Sequence, residues 1–184
     1  QNPYTFDLQG TGTTAGSLDP GLNLGANNYV FTTAVQPDGK NVLGGSFTSF
    51  SAGTPNRAAR LEADGTLDLT FNPDANNSVG SALVQPDGAI VLGGAFTTMG
   101  GVARNRLARV DANGLLDVGF NPDLDGAVSA IAMQADGKLV IAGSFTTVGG
   151  VARSKIARLN ANGTLDTGFD PNVNRAVYTA TVLA

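Results

Sequence analysis

Short apolar runs alternate with turn-forming tetrapeptides along most of the chain. Between Ser78 and Gly126, a β-prone run at Val79 to Val84 ends in Gln85-Pro86-Asp87-Gly88. There Pro presets φ at the first corner and Gly accepts positive φ at the last. Ile90 to Thr98 reads as the next strand, so this turn closes a hairpin. Gly100-Gly101 breaks the chain again, and Asn105 to Val110 reads as a third strand. Asp111-Ala112-Asn113-Gly114 is the next turn, with Asn-Gly a strong hairpin signal. Leu115 to Phe120 is expected as a fourth strand, closed by Asn121-Pro122-Asp123. Nowhere do apolar residues recur at i, i+3, i+4, i+7 over a helical length. The pattern predicts an all-β unit, a four-stranded antiparallel meander.

The unit is copied. Gln36, Gln85 and Gln134 stand 49 residues apart, as do Phe47, Phe96 and Phe145, then Arg60, Arg109 and Arg158, then Asp68, Asp117 and Asp166. A fixed period of this size marks one supersecondary unit in series, and four strands in roughly 40–50 residues is the size of a propeller blade. One such sheet buries its faces only by stacking on its copies. Gly44-Gly45, Gly93-Gly94 and Ala142-Gly143 are expected to let neighbouring sheets approach closely. The expected division is an N-terminal partial blade at 1–28, blades at 29–77, 78–126 and 127–175, and an inner strand of a further blade at 176–184.

The four recurring motifs resemble the bacterial delta-60 repeat. They stand as Val35 to Lys40, Gly44 to Thr48, Asn56 to Leu61 and Asp64 to Pro73. The resemblance covers roughly residues 16 to 184 and implies a β-propeller repeat of large secreted or surface proteins, with no catalytic role to carry over. Two departures concern local turns: Ala135 replaces the turn Pro in the third copy, and Thr54-Pro55 replace the Ala103-Arg104 pair in the first.

Three blades do not close a ring, because propellers use roughly four to eight. In repeat register the C-terminal run, Ala176 to Leu183 with Val177, Tyr178 and Val182, is an innermost strand. Leu18 to Leu24 is an outermost one, and Tyr4, Phe6 and Leu8 lie on a further strand at the seam. The expectation is a piece of a longer propeller, a ring shared by two chains, or subunits joined head to tail into a filament. An unpaired flat edge calls for a cover, so the chain is not expected to work as a free monomer.

Composition removes function classes. The 184 residues contain no cysteine and no histidine. This excludes disulfides, thiolate nucleophiles, imidazole bases and the usual zinc ligands. Net charge is −4, and the 11 Lys and Arg are spread through the repeats, which argues against nucleic-acid binding. No apolar run approaches the roughly 18 residues of a membrane span. Few Lys and Glu beside abundant Gly, Thr, Asn and Asp fit an extracellular or cell-surface protein, and a leading Gln fits processing or excision from a longer chain.

Candidate chemistry is sparse. Asp68, Asp117 and Asp166 each follow a Gly-x-Leu turn that sets them beside Arg60, Arg109 and Arg158. These are expected as structural Arg–Asp pairs between blades, since buried charges are paired. General acid–base work needs two carboxylates with separated pKa values in one cleft, and an active site is rarely copied three times. No cofactor is expected. Calcium or a sugar at the loop oxygens of Asp74, Asp123, Asp125, Asn76 and Asn77 is a lesser expectation beside Asx-turn hydrogen bonding. The Ser and Thr hydroxyls have no base beside them. Tyr4, Tyr29, Tyr178 and Phe50 are the aromatics expected at the surface. The first copy of the loop, Phe50 to Arg57 with Thr54, Asn56 and Arg57, differs most from its counterparts and is the expected partner loop. The leading expectation is a non-enzymatic extracellular scaffold or adhesion module with an unidentified protein or glycan partner. The rival is a self-assembling subunit.

Overall fold

In the computed structural model, residues 25–182 are described. Among them no helix occurs. The first sheet consists of β1 (Val30–Val35), β2 (Asn41–Gly45) and β3 (Ala58–Leu61), antiparallel in that order. The second combines β4 (Val79–Val84) and β5 (Ile90–Gly94) with β8 (Leu107–Val110). Between β5 and β8 a small hairpin forms from β6 (Thr98–Met99) and β7 (Val102–Ala103). The third copy repeats this: β9 (Val128–Met133), β10 (Leu139–Gly143) and β13 (Ile156–Leu159) form the sheet. β11 (Thr147–Val148) and β12 (Val151–Ala152) form its hairpin.

The turns follow the local chemistry. Gln85 N donates to Ala89 O at 2.8 Å, and Gly88 takes φ 87° between β4 and β5. Each sheet has one register shift near the start of its first strand, as between Val79 and Ser81. That bulge twists the innermost strand locally.

The segment expected as a fourth strand does not extend as one. It makes a single bridge in each copy: Leu61 with Leu67, Val110 with Leu116, Leu159 with Leu165. The chain then turns back, because Asp117 Oδ1 accepts a hydrogen bond from Gly119 N at 2.9 Å and Phe120 N donates to Asp117 O. A side-chain oxygen that caps the backbone two residues on competes with the ladder and ends it. The run from Ala176 to Leu183 also differs from expectation. Its described part forms no strand, since Val177 N donates to Gly143 O at 3.1 Å but no neighbouring strand extends that contact into a ladder. Tyr4, Phe6, Leu8 and the Leu18 to Leu24 run lie outside the described residues.

The core lies between the sheets. Val42 and Ala58 of the first sheet join Phe71, Val79, Ile90, Leu92, Phe96 and Met99 in one buried cluster. Val91 and Leu107 of the second join Val128, Ile131, Leu139, Ile141 and Phe145 in the next. Close approach depends on a missing side chain. A Cβ on Gly93 would meet Val128 Cγ1 at 2.7 Å, and one on Gly44 would meet Val79 Cγ1 at 2.6 Å. Val79 of β4 and Val128 of β9 therefore seat against a glycine of the preceding sheet. Buried apolar surface of this kind stabilises at roughly 25 cal/mol per Å².

Candidate functional site

The recurring polar unit is built on the last strand of each sheet. Arg60 extends from β3, and the five-residue turn Glu62 to Thr66 returns the chain so that Asp68 lies beside it. Arg60 Nη2 is 2.6 Å and Nε 2.8 Å from Asp68 Oδ2, and both side chains are buried. The other oxygen, Oδ1, accepts from Thr70 N at 2.8 Å and Thr70 Oγ1 at 2.6 Å. The guanidinium carbon lies 4.7 Å from the ring centre of Phe71, a cation–π contact.

Its remaining amine, Nη1, donates to the Ala112 carbonyl of the second sheet. Arg109 does likewise to Ala161 O at 2.7 Å while pairing with Asp117 at 2.7 Å. Arg158 pairs with Asp166 at 2.9 Å, where Lys138 Nζ adds a second cation at 3.0 Å. The Arg–Asp pair thus lies within one sheet unit and not between two. The guanidinium of the first two copies spans to the next sheet, because Nη1 still has donors free once Nε and Nη2 have bound the same aspartate oxygen.

These carboxylates are held ionised. Burial alone would raise Asp68, but bonds from Thr70 and Arg60 outweigh it and hold the group well below the ordinary 3.8. The hydrogen bond from Arg109 lowers Asp117. The bond from Lys138, then the Gly168 N–H and Arg158, bring Asp166 to about 2. An aspartate fixed as an acceptor by several donors is suited to locking a turn.

The corner oxygens are likewise engaged. Asn76 Oδ1 accepts from Thr97 N at 2.8 Å and Thr98 N at 3.1 Å, and Asn27 and Asp125 do the same in the neighbouring copies. Burial would raise Asp125, but Thr146 and Thr147 pull it down to about 2. Asp74 and Asp123, both at positive φ, accept from Asn56 and Asn105 at 2.8 Å. Among the described residues no group of three or more His, Cys, Asp or Glu is arranged to hold a metal ion.

The loop from Phe50 to Arg57 divides into two parts. Phe50 is not a surface aromatic: it is 5% exposed and packs edge-on against Phe47, ring centres 4.7 Å apart. Its equivalents Met99 and Val148 are buried as well. Arg57 adopts φ 63° and donates to the Ser46 carbonyl, as Arg106 donates to Ala95, so both tie the loop to its own sheet. Asn56 N donates to Asn72 Oδ1 at 3.2 Å. Thr54 is exposed, and beside it a cleft of about 330 Å³ opens between Gly53, Pro55, Leu69, Phe71 and Asn72.

The family described as "Domain of unknown function (DUF5122) beta-propeller" matches residues 36–71, 85–120 and 134–169. The chain belongs to this family. Each match begins at the turn glutamine and ends at the phenylalanine under the guanidinium, so the Arg–Asp–Phe unit closes each DUF5122 repeat. No curated protein matches the chain.

Two features of this β-propeller chain were missed by sequence reasoning. Arg104 and Arg153 are buried, 6% and 8% exposed, although each lies in a polar Ala-Arg pair beside a hairpin. Their absence from the first copy was the available signal. The second feature is an apolar patch at the start of β1, where Phe31, 53% exposed, joins the 73% exposed Tyr29 already expected at the surface, ring centres 6.1 Å apart. Val30 is 45% exposed, whereas its equivalents Val79 and Val128 are 0% and 1%. Tyr178 is exposed, as expected, and Val182 is also exposed.

Proposed function

We propose that this chain is a non-enzymatic binding scaffold of a secreted or surface protein, built from β-propeller blades that present one specialised loop to a polypeptide partner. In this reading the segments bridged at Leu67, Leu116 and Leu165 are fourth strands of blades, and the four motifs make the repeats delta-60 repeats. The observation that carries it is the loop of the first copy. Where the second and third copies close a hairpin (β6–β7, β11–β12), the first has only the Phe50–Gly53 bridge and the adjacent cleft. A scaffold copied three times and altered at one loop concentrates its variation where a partner is met.

The test is selection of a random peptide library on two proteins. One is the chain itself, and in the other the Phe50–Pro55 loop is exchanged for the sequence of Met99–Arg104. Peptides enriched on the first that fail to bind the second support the reading. Equal enrichment on both overturns it.

A second reading rests on the uncovered β1 face: self-assembly, in which another blade seats on Val30 as β4 and β9 seat on the sheets before them. Light scattering with negative-stain images decides it. Concentration-dependent rings or fibres support assembly, and a single species at the chain mass across concentrations counts against it.

A further inference from the structure

In the second blade, Arg104 lies buried under its loop; Nη1 donates to Ala103 O at 2.7 Å and Nη2 to Val118 O at 2.8 Å. In the third, Arg153 makes the same bonds to Ala152 O at 2.7 Å and Thr167 O at 3.0 Å, with Asp170 at 3.5 Å. The equivalent residue in the first blade is Pro55, which has no donor and cannot reach. The equivalent carbonyls are those of Thr54 and Leu69, and no hydrogen bond reaches either among the described residues. Between them lies the cleft of about 330 Å³, with Asn72 where the third blade has Asp170.

We infer that this cleft is a guanidinium site, filled in the bound state by an arginine side chain of a partner polypeptide. Two copies of the scaffold show the ligand already in place, on the same acceptors, supplied in cis. A planar guanidinium bonds two carbonyls on separate segments at once, which a lysine ammonium does less well. Asp68 also lines the cleft but is already paired with Arg60, so the carbonyls of Thr54 and Leu69 are the acceptors left to a guanidinium, on a chain whose net charge of −4 favours a cation. Residues 1–24 and 183–184 contain no Lys or Arg, so they carry no guanidinium for this cleft. The inference rests on the binding-scaffold reading and adds the ligand chemistry of its loop.

Titration with acetyl-Gly-Arg-Gly-amide, followed by amide NMR shifts of the full chain, tests it. The expected result is saturable shifts at Gly53 and Leu69 to Asn72, with binding roughly tenfold weaker for the citrulline peptide, which keeps the shape and loses the charge. The double substitution Thr54→Ala, Pro55→Arg refills the cleft from within and should abolish those shifts. Arg104→Ala should create a second site, with new shifts at Val118 to Asn121. Equal binding of the arginine and citrulline peptides, or no saturable shift in the native chain, overturns the inference. Library peptides that need the Phe50–Pro55 loop but contain no arginine would overturn it alone and leave the scaffold reading standing.

Discussion

The same three residues, Arg, Asp and Phe, meet different solvent in successive blades, and this sets what each is worth. Arg60 and Asp68 side chains are each 6% exposed, whereas Arg109 and Asp117 are 20% and 34%. Removing one member of a buried pair strands its partner's charge, at a cost of about 3–5 kcal/mol, while an exposed pair contributes about 0–1 kcal/mol. Arg60→Met is therefore expected to lower the urea unfolding free energy by about 3 kcal/mol and Arg109→Met by about 1 kcal/mol. Equal losses would show that burial does not govern the pairs. The carboxylates also make stability depend on pH. Asp68, Asp117, Asp125 and Asp166 all have folded pKa values below the ordinary 3.8. The unfolded chain thus binds more protons, so their contribution is complete above about pH 5 and is lost as the pH falls towards 2. Thermal midpoints should be flat from pH 7 to about 5 and then drop. A midpoint that holds at pH 2.5 would contradict this.

At the level of strands and hairpins, two glycines separate packing from conformation. Gly94 ends β5, and a Cβ there would collide with the Ser78 carbonyl oxygen, a backbone atom that cannot swing aside. Gly101, in the β6–β7 turn, has φ 75° and open space around its Cα hydrogen. Gly101→Ala costs the left-handed conformation alone, about 1 kcal/mol. Gly94→Ala forces the first two strands apart and should cost about 3 kcal/mol. Urea midpoints of the two variants measure the difference, and a Gly94→Ala variant as stable as Gly101→Ala would refute the packing argument. The hairpins themselves depend on such turns. Without the Gly-Gly pair, the first blade makes one bridge where the others make a paired β6–β7 type ladder, and the Pro55 cleft forms beside it.

Across the whole molecule, stability comes from sheet on sheet. Val79 and Val128 are buried against glycines of the sheets before them, and Val30 offers the same side chain to a face with no described sheet upon it. If a further blade seats there, Val30→Lys should leave the urea midpoint of the dilute chain nearly unchanged, since the residue is 45% exposed. It should also shift light-scattering masses at high concentration to that of one chain. Masses unaffected by Val30→Lys would mean that association, if present, uses another surface.

What was legible in the sequence was local or periodic. The 49-residue step is read directly from repetition, while the Pro-Asp-Gly and Asn-Gly turns and the nearness of Arg60 to Asp68 follow from turn chemistry over fewer than ten residues. Strand extent was less legible: Leu115 to Phe120 has strand composition, yet the Asp117 side chain caps Gly119 and ends the ladder after one bridge. The 49-residue step makes Phe50 equivalent to Met99 and Val148, but the departure of Ser51 to Pro55 from the repeat just after it suggested a surface loop, and only packing against Phe47 shows Phe50 to be buried. The span from Arg60 to Ala112, the burial of Arg104 and the cleft beside Pro55 depend on groups 14 to 52 residues apart or on neighbouring blades. The span from Arg60 to Ala112 exists only once the sheets have stacked, and the other two only once each repeat has folded back on itself, because packing removes the water that would otherwise hydrate the guanidinium and the carbonyls.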